Sequence, residues 1–139
     1  MSSPIKKSIL AVVAGVLTII LGSTLVDVVL HLMHVYPPVN QPLDNKLSLL
    51  ASSYRLVIGI AGAYLTARLA PDRPLRHAIM LGYVGLVLGL VGVVATWNAG
   101  LGPRWYPVSL AVLAIPQCWL GGKLGERRLR AQTPLSAAP

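Results

Sequence analysis

Four residues in the stretch STLVDVVLHLMH have side chains that could do chemistry: Ser23, Asp27, His31 and His34. Their spacing of i, i+4, i+8 and i+11 sets them along one face of a helix. Four readings of that stripe compete. Imidazole titrates near neutral pH, and a carboxylate removed from water is shifted toward that range. Asp27 and His31 could therefore carry protons or bind a small solute on a transport route. Asp27, His31 and His34 could instead point at one transition metal ion, since Asp and His donors suit zinc and similar metals. No cysteine, glutamate or further histidine completes such a set, and no other cofactor is indicated. The stripe could also recognise a partner subunit. The fourth reading is structural: Asp27 pairs with a base, and the histidines lie at the level of lipid headgroups.

The element that must carry this stripe is strongly apolar. It lies at the end of a run from Ile9 to Leu32, about 24 residues, where roughly 20 suffice to cross a bilayer. Three further apolar runs follow, at about 47–69, 75–95 and 107–124. Charged residues make up 12% of the chain, half of the roughly 25% usual in soluble domains, and apart from Asp27 and Arg55 they fall between these runs or at their ends. The expected fold is therefore all-α: a polytopic membrane protein built as one bundle of four transmembrane helices. The first run is too long for the core of a cleavable signal and lacks a small-x-small cleavage site, so it is read as a mature helix.

Punctuation supports these limits. YPPVNQPLDNK is too rich in proline to continue a helix, and its Asp44 or Asn45 can cap the second span. APDRP is a tight turn, with Asp72 expected as cap and Pro74 in the first turn of the third span. Pro107 is placed to start the fourth span, and Pro116 should kink it. The segment 131–139 reads as a disordered tail. The preceding GERRLR is suited to anionic headgroups.

The net charge of +8 is explained by threading rather than by nucleic acid, which would need an exposed basic groove or helix. Lys6, Lys7, Arg68, Arg73, Arg76, Lys123, Arg127, Arg128 and Arg130 fall on one side; only Lys46 and Arg104 fall on the other. The positive-inside rule then predicts cytoplasmic N- and C-termini, in what would be a bacterial inner membrane. Tyr36, Trp97, Trp105 and Tyr106 form an aromatic belt at the outer boundary, with Trp119 at the inner one.

Only Asp27 and Arg55 are fully charged at membrane depth. Asp27 lies eight residues before the exit of span one, and Arg55 eight after the entry of span two. At about 1.5 Å per residue, both sit roughly 12 Å below the outer boundary. An Asp27–Arg55 ion pair is expected, since it relieves the burial of both charges. Ser52, Arg55, Gly59, Gly62 and Thr66 share a face of span two. With the Ser23/Asp27/His31 stripe they predict a polar cleft between helices 1 and 2.

In helix number and length the chain resembles the small multidrug transporters, whose first helix also carries an acidic residue. The likeness is architectural only. Their acid is a glutamate near mid-membrane, whereas Asp27 lies nearer the outer side with Arg55 available to neutralise it.

Gly82, Gly85, Gly89 and Gly92 line one side of span three, and Gly85-x-x-x-Gly89 allows close backbone approach. The expected neighbours are the small residues Gly59 and Ala63 of span two. A second copy or a partner membrane subunit is the alternative occupant. YLTARLA (64–70) and WLGGKLG (119–125) form a faint repeat at two helix ends. Cys118 reads as a buried apolar side chain, and Gln117 as an interhelical hydrogen bond. No phosphate loop, G-x-S-x-G or H-E-x-x-H motif is present, so no enzymatic role is expected. The functions that remain are small-solute, proton or ion transport, an accessory or assembly subunit, or metal binding.

Overall fold

Ser3 opens the first helix, its hydroxyl accepting a hydrogen bond from the Lys6 N–H at 3.3 Å, with Pro4 in the first turn. In the computed structural model, which describes residues 3–133, this helix (α1) spans Pro4–Leu32. Its end is closed by the Val35 and Tyr36 N–H groups, which both reach the Leu30 carbonyl. Asp44 caps α2 (Asn45–Leu69) by accepting from Leu47 N–H at 2.8 Å. α3 spans Pro74–Thr96 and α4 spans Trp105–Gln132. Each of the four helices is long and apolar enough to cross a membrane. The chain is the all-α, four-helix bundle expected, with no strand among the described residues.

Several boundaries differ from expectation. Asp72 does not cap α3. The N-cap is Arg73, in the left-handed region at φ 40°, and no side chain caps it, so the tight turn sets the start of the helix. Pro107 is the third residue of α4, not its first, because Trp105 is anchored by its indole N–H donating to Asn45 Oδ1 at 2.9 Å. Pro116 lies inside α4 and leaves the Val112 carbonyl without its intrahelical donor. Apolarity marks only the part of α4 suited to oil. The helix continues through GERRLR, where the five residues after Gly125 favour helix and Glu126 and Arg130 pair at 2.5 Å. The expected tail thus begins inside the helix, at Ala131 and Gln132, while 134–139 lie outside the described residues.

Small residues bring the helices together. α1 meets α2 where a Cβ on Gly62 would stand 3.0 Å from the Gly15 carbonyl oxygen. α2 meets α4 where Gly125 faces Ala67, at 2.7 Å to a hypothetical Cβ, and where Gly121 abuts the Ile60 carbonyl. The two repeat-like segments therefore pack side by side in these parallel helices. The glycines of α3 pack against α4 rather than against Gly59 and Ala63. Gly82 meets Ala114 and Cys118, Gly89 meets Ala111, and Gly92 meets nothing within 4 Å. Helix α4 wins this contact because Ala111, Ala114 and Cys118 recur on its buried face at the same three-to-four spacing.

The buried apolar cluster of Ala63, Ala67, Ala78, Leu81 and Cys118, flanked by Val12, Val16 and Ile19, lies toward the end that holds the chain termini. Large apolar side chains instead face outward, including Leu10, Leu17, Leu21 and Leu25 on α1 and Val87, Leu88, Val91 and Val94 on α3. That inversion suits a lipid surround, where packing contacts and not hydrophobic burial join helices. Among the described residues α1 and α4 do not meet. α1 is held by α2 and, near the termini, by α3, where His77 Nε2 and Ser8 Oγ lie 2.9 Å apart.

Candidate functional site

Helix α1 carries Asp27 one turn from its loop end, and α2 presents Tyr54 and Arg55 to it. Arg55 Nη2 donates to Asp27 Oδ2 at 2.6 Å. The Tyr54 hydroxyl donates to the other carboxylate oxygen, and the Tyr36 hydroxyl stands 2.9 Å from that of Tyr54. Because Tyr54 spends its proton on Asp27, Tyr36 is the donor of the pair. Both carboxylate oxygens are thus occupied, in a chain running from the loop residue Tyr36 through Tyr54 to Asp27 and Arg55. The Arg55 guanidinium also lies 5.8 Å from the Tyr54 ring centre. Burial pushes the Tyr36 phenol above its ordinary value; the Tyr54 hydrogen bond opposes this, Asp27 adds to it and Arg55 opposes it.

The remaining residues of the stripe separate. His31 turns Nδ1 onto the Asp27 backbone carbonyl at 2.8 Å and stands edge-on to Tyr36, with ring centres 5.3 Å apart. A carbonyl can only accept, so Nδ1 carries the proton and Nε2 faces away. α1 ends at Leu32, and His34 lies beyond it at φ 57°, exposed, off the helical face on which regular spacing had put it. Among the described residues no three histidine, cysteine, aspartate or glutamate side chains gather as a metal-binding group. Ser23 makes no hydrogen bond to the ion pair. It is 4% exposed, and its hydroxyl has no hydrogen-bond partner.

Ser23 faces a cavity of about 190 Å³ in the middle of the bundle, bounded by Val16, Ile19 and Ile20 of α1, Leu81 to Leu88 of α3, and Ala114, Gln117 and Cys118 of α4. Gln117 reaches α2 by packing over Gly59, not by a hydrogen bond. Arg55 lines this cavity. It also lines a second one, of about 250 Å³, at the loop end. That vestibule is walled by the loop residue Leu43, Ser48 of α2, Thr96 and Trp97 at the end of α3, the loop from Leu101 to Arg104, and Tyr106 and Pro107 of α4. Its walls are tied by the Leu43 N–H, which donates to the Leu101 carbonyl at 3.0 Å. Arg104 is seated by its Nε–H on the Trp97 carbonyl at 3.2 Å, its guanidinium 5.1 Å from the Trp97 ring centre.

Arg55 thus has free space on either side, while from its depth toward the termini α1 and α2 are held in direct contact by the ion pair and by Gly15, Gly22 and Gly62; a polar space of about 620 Å³ between these two helices lies nearer the loop, lined by His31, His34, Tyr36, Asp44 and Leu47. The pair is half-buried, and Arg55 Nε is buried without a partner. Sequence reasoning missed Tyr54 and Ser48, and assigned Tyr36 only to the aromatic belt. The available signal was a tyrosine beside the intramembrane arginine, at the depth of Asp27.

Comparison of the chain with protein families, with characterised proteins and with solved structures finds no match.

Proposed function

We propose that this chain is an integral protein of a bacterial inner membrane, with both termini cytoplasmic, that admits a small solute or proton and uses the Asp27–Arg55 pair as its barrier. The orientation rests on nine lysines and arginines on the side of the termini against two on the other. The observation that carries the reading is Arg55. One side chain, held by one carboxylate, separates a space of about 250 Å³ at the loop end from one of about 190 Å³ in the bundle. Both fall below the roughly 300–1,000 Å³ of sites for drug-sized ligands, which favours a small solute. Intramembrane charges of this kind commonly mark solute and proton paths.

A second reading has its own support. Asp27 has both oxygens satisfied and joins α1 to α2, as a static clasp in a non-transporting accessory subunit would. Reconstitution into vesicles separates the two. Proton flux is followed with an entrapped pH dye and solute entry by light scattering, for the natural protein, Asp27→Asn and Arg55→Gln. A barrier role predicts flux above that of empty vesicles, changed at least severalfold by either substitution. If all three proteins leave the vesicles as tight as lipid alone while melting temperatures fall, the accessory reading stands and the transport reading is lost.

A further inference from the structure

We infer that the loop-end vestibule is a recognition site for a small organic carboxylate with an apolar body, held by Ser48, Arg55 and Arg104. This assignment rests on the solute-path reading above and adds its substrate class.

Three polar groups of the vestibule are donors in search of an acceptor. Ser48 is fully buried at 0% exposure, and its hydroxyl has no hydrogen-bond partner. Arg55 Nε–H is buried and unpartnered as well, because the arginine meets Asp27 through Nη2. A buried polar group without a partner is uncommon in a folded protein and calls for an explanation in what binds there. Both side chains line the same space. Arg104 lines it from the other wall, with one N–H on the Trp97 carbonyl and its remaining N–H groups uncommitted to protein. A ligand that satisfies a hydroxyl and two guanidinium edges is an acceptor with several lone pairs, an oxyanion.

Charge and shape narrow the class. No acidic side chain lines the vestibule. Arg55 is neutralised by Asp27 from outside it, so Arg104 supplies the one uncompensated charge and the site matches a monoanion. Most of the remaining wall is apolar, from Leu43, Trp97, Leu101 and prolines; the Thr96 hydroxyl is spent on the Gly92 carbonyl, so the Tyr106 phenol is the one further side-chain donor, too few for the three oxygens of a phosphate dianion. A carboxylate on an apolar body fits these walls better than an inorganic anion does.

The test uses the full-length protein in detergent, with benzoate, its neutral isostere benzamide, and inorganic phosphate as probes, read by calorimetry and by Trp fluorescence. Benzoate should bind saturably, with benzamide and phosphate each at least tenfold weaker. Arg104→Gln should weaken benzoate by about tenfold, the weight of a charge-assisted hydrogen bond, and lower the ligand-free melting temperature only slightly, because Arg104 is exposed and gives up a single surface hydrogen bond to the Trp97 carbonyl. Ser48→Ala should weaken benzoate severalfold. Equal binding of benzoate and benzamide overturns the inference, as does phosphate binding tighter than benzoate, or full affinity in Arg104→Gln. If benzoate fails to bind while reconstituted protein still shows flux that depends on Arg55, the substrate class falls and the barrier reading survives. If benzoate binds as described and no flux is found, the recognition site stands without the barrier.

Discussion

Replacing Asp27 by Asn removes one charge and almost no volume, so the cost falls on the partner left behind. Arg55 keeps its charge, with Nε already unpartnered. Breaking a fully buried pair costs about 3–5 kcal/mol, and an exposed one contributes about 0–1 kcal/mol. With side chains 31% and 28% exposed, this pair falls between these limits, and we expect Asp27→Asn to cost about 2 kcal/mol. For a chain of this size that is a fall in Tm of roughly 6–10 °C. Arg55→Gln should cost a similar amount, by stranding the carboxylate with Tyr54 alone. The double variant should then be more stable than the sum of the single losses by at least about 1 kcal/mol, since neither charge is left alone. Thermal unfolding in detergent, followed by Trp fluorescence, measures all four proteins. Strictly additive losses, with a coupling below about 0.5 kcal/mol, would refute the claim that each charge is tolerated because of the other.

Three further outcomes are expected. Burial raises the Tyr36 phenol above its ordinary value of 10.0, so the folded state favours the neutral form; its stabilisation is complete below pH 10 and fades as pH rises toward the folded value, and Tyr36→Phe should reduce the alkaline loss in a Tm-versus-pH series. Gly92→Ala meets nothing within 4 Å and should be neutral or stabilising by up to about 1 kcal/mol, whereas Gly121→Ala drives a methyl into the Ile60 carbonyl and should cost more than about 2 kcal/mol; equal Tm values for the two would contradict the packing described. His77→Ala breaks the tie to Ser8 and should lower stability by about 1–2 kcal/mol, with Ser8→Ala adding little on top of it because the two share one hydrogen bond.

The threading of the bundle was legible in the sequence, because lipid demands long apolar helices and leaves a strong imprint in composition. The Asp27–Arg55 pairing was legible for a related reason: with one acid and one base at equal depth, register alone brings them together. Other features depend on geometry that one helix cannot encode. His34 shares the spacing of the stripe but lies past a helix end set by backbone bonds to Leu30. The α3 glycines fit small residues on two other helices equally well by pattern, and only the packed bundle selects Ala111 and Ala114. Ser48 and Arg104 are 56 residues apart and become neighbours through the fastening of Leu43 to Leu101, two unremarkable loop positions. The length of α4 was underread because a hydrophobic threshold stops where charge begins, while helix propensity does not.

Helix α1 is fastened by polar groups toward both ends, Ser8 to His77 and the Ala11 carbonyl to the Thr66 hydroxyl near the termini and Asp27 to Arg55 near the loops, with close glycine contacts to α2 between them. It has no neighbour in α4 to brace it. Such a rod behaves as a door leaf with a hinge and a latch. Unfastening the latch would leave the Ser8–His77 and Ala11–Thr66 ties as the pivot, so any swing would be widest at the loop end and would grow along the α1 wall of the mid-bundle cavity from Val16 toward Ser23.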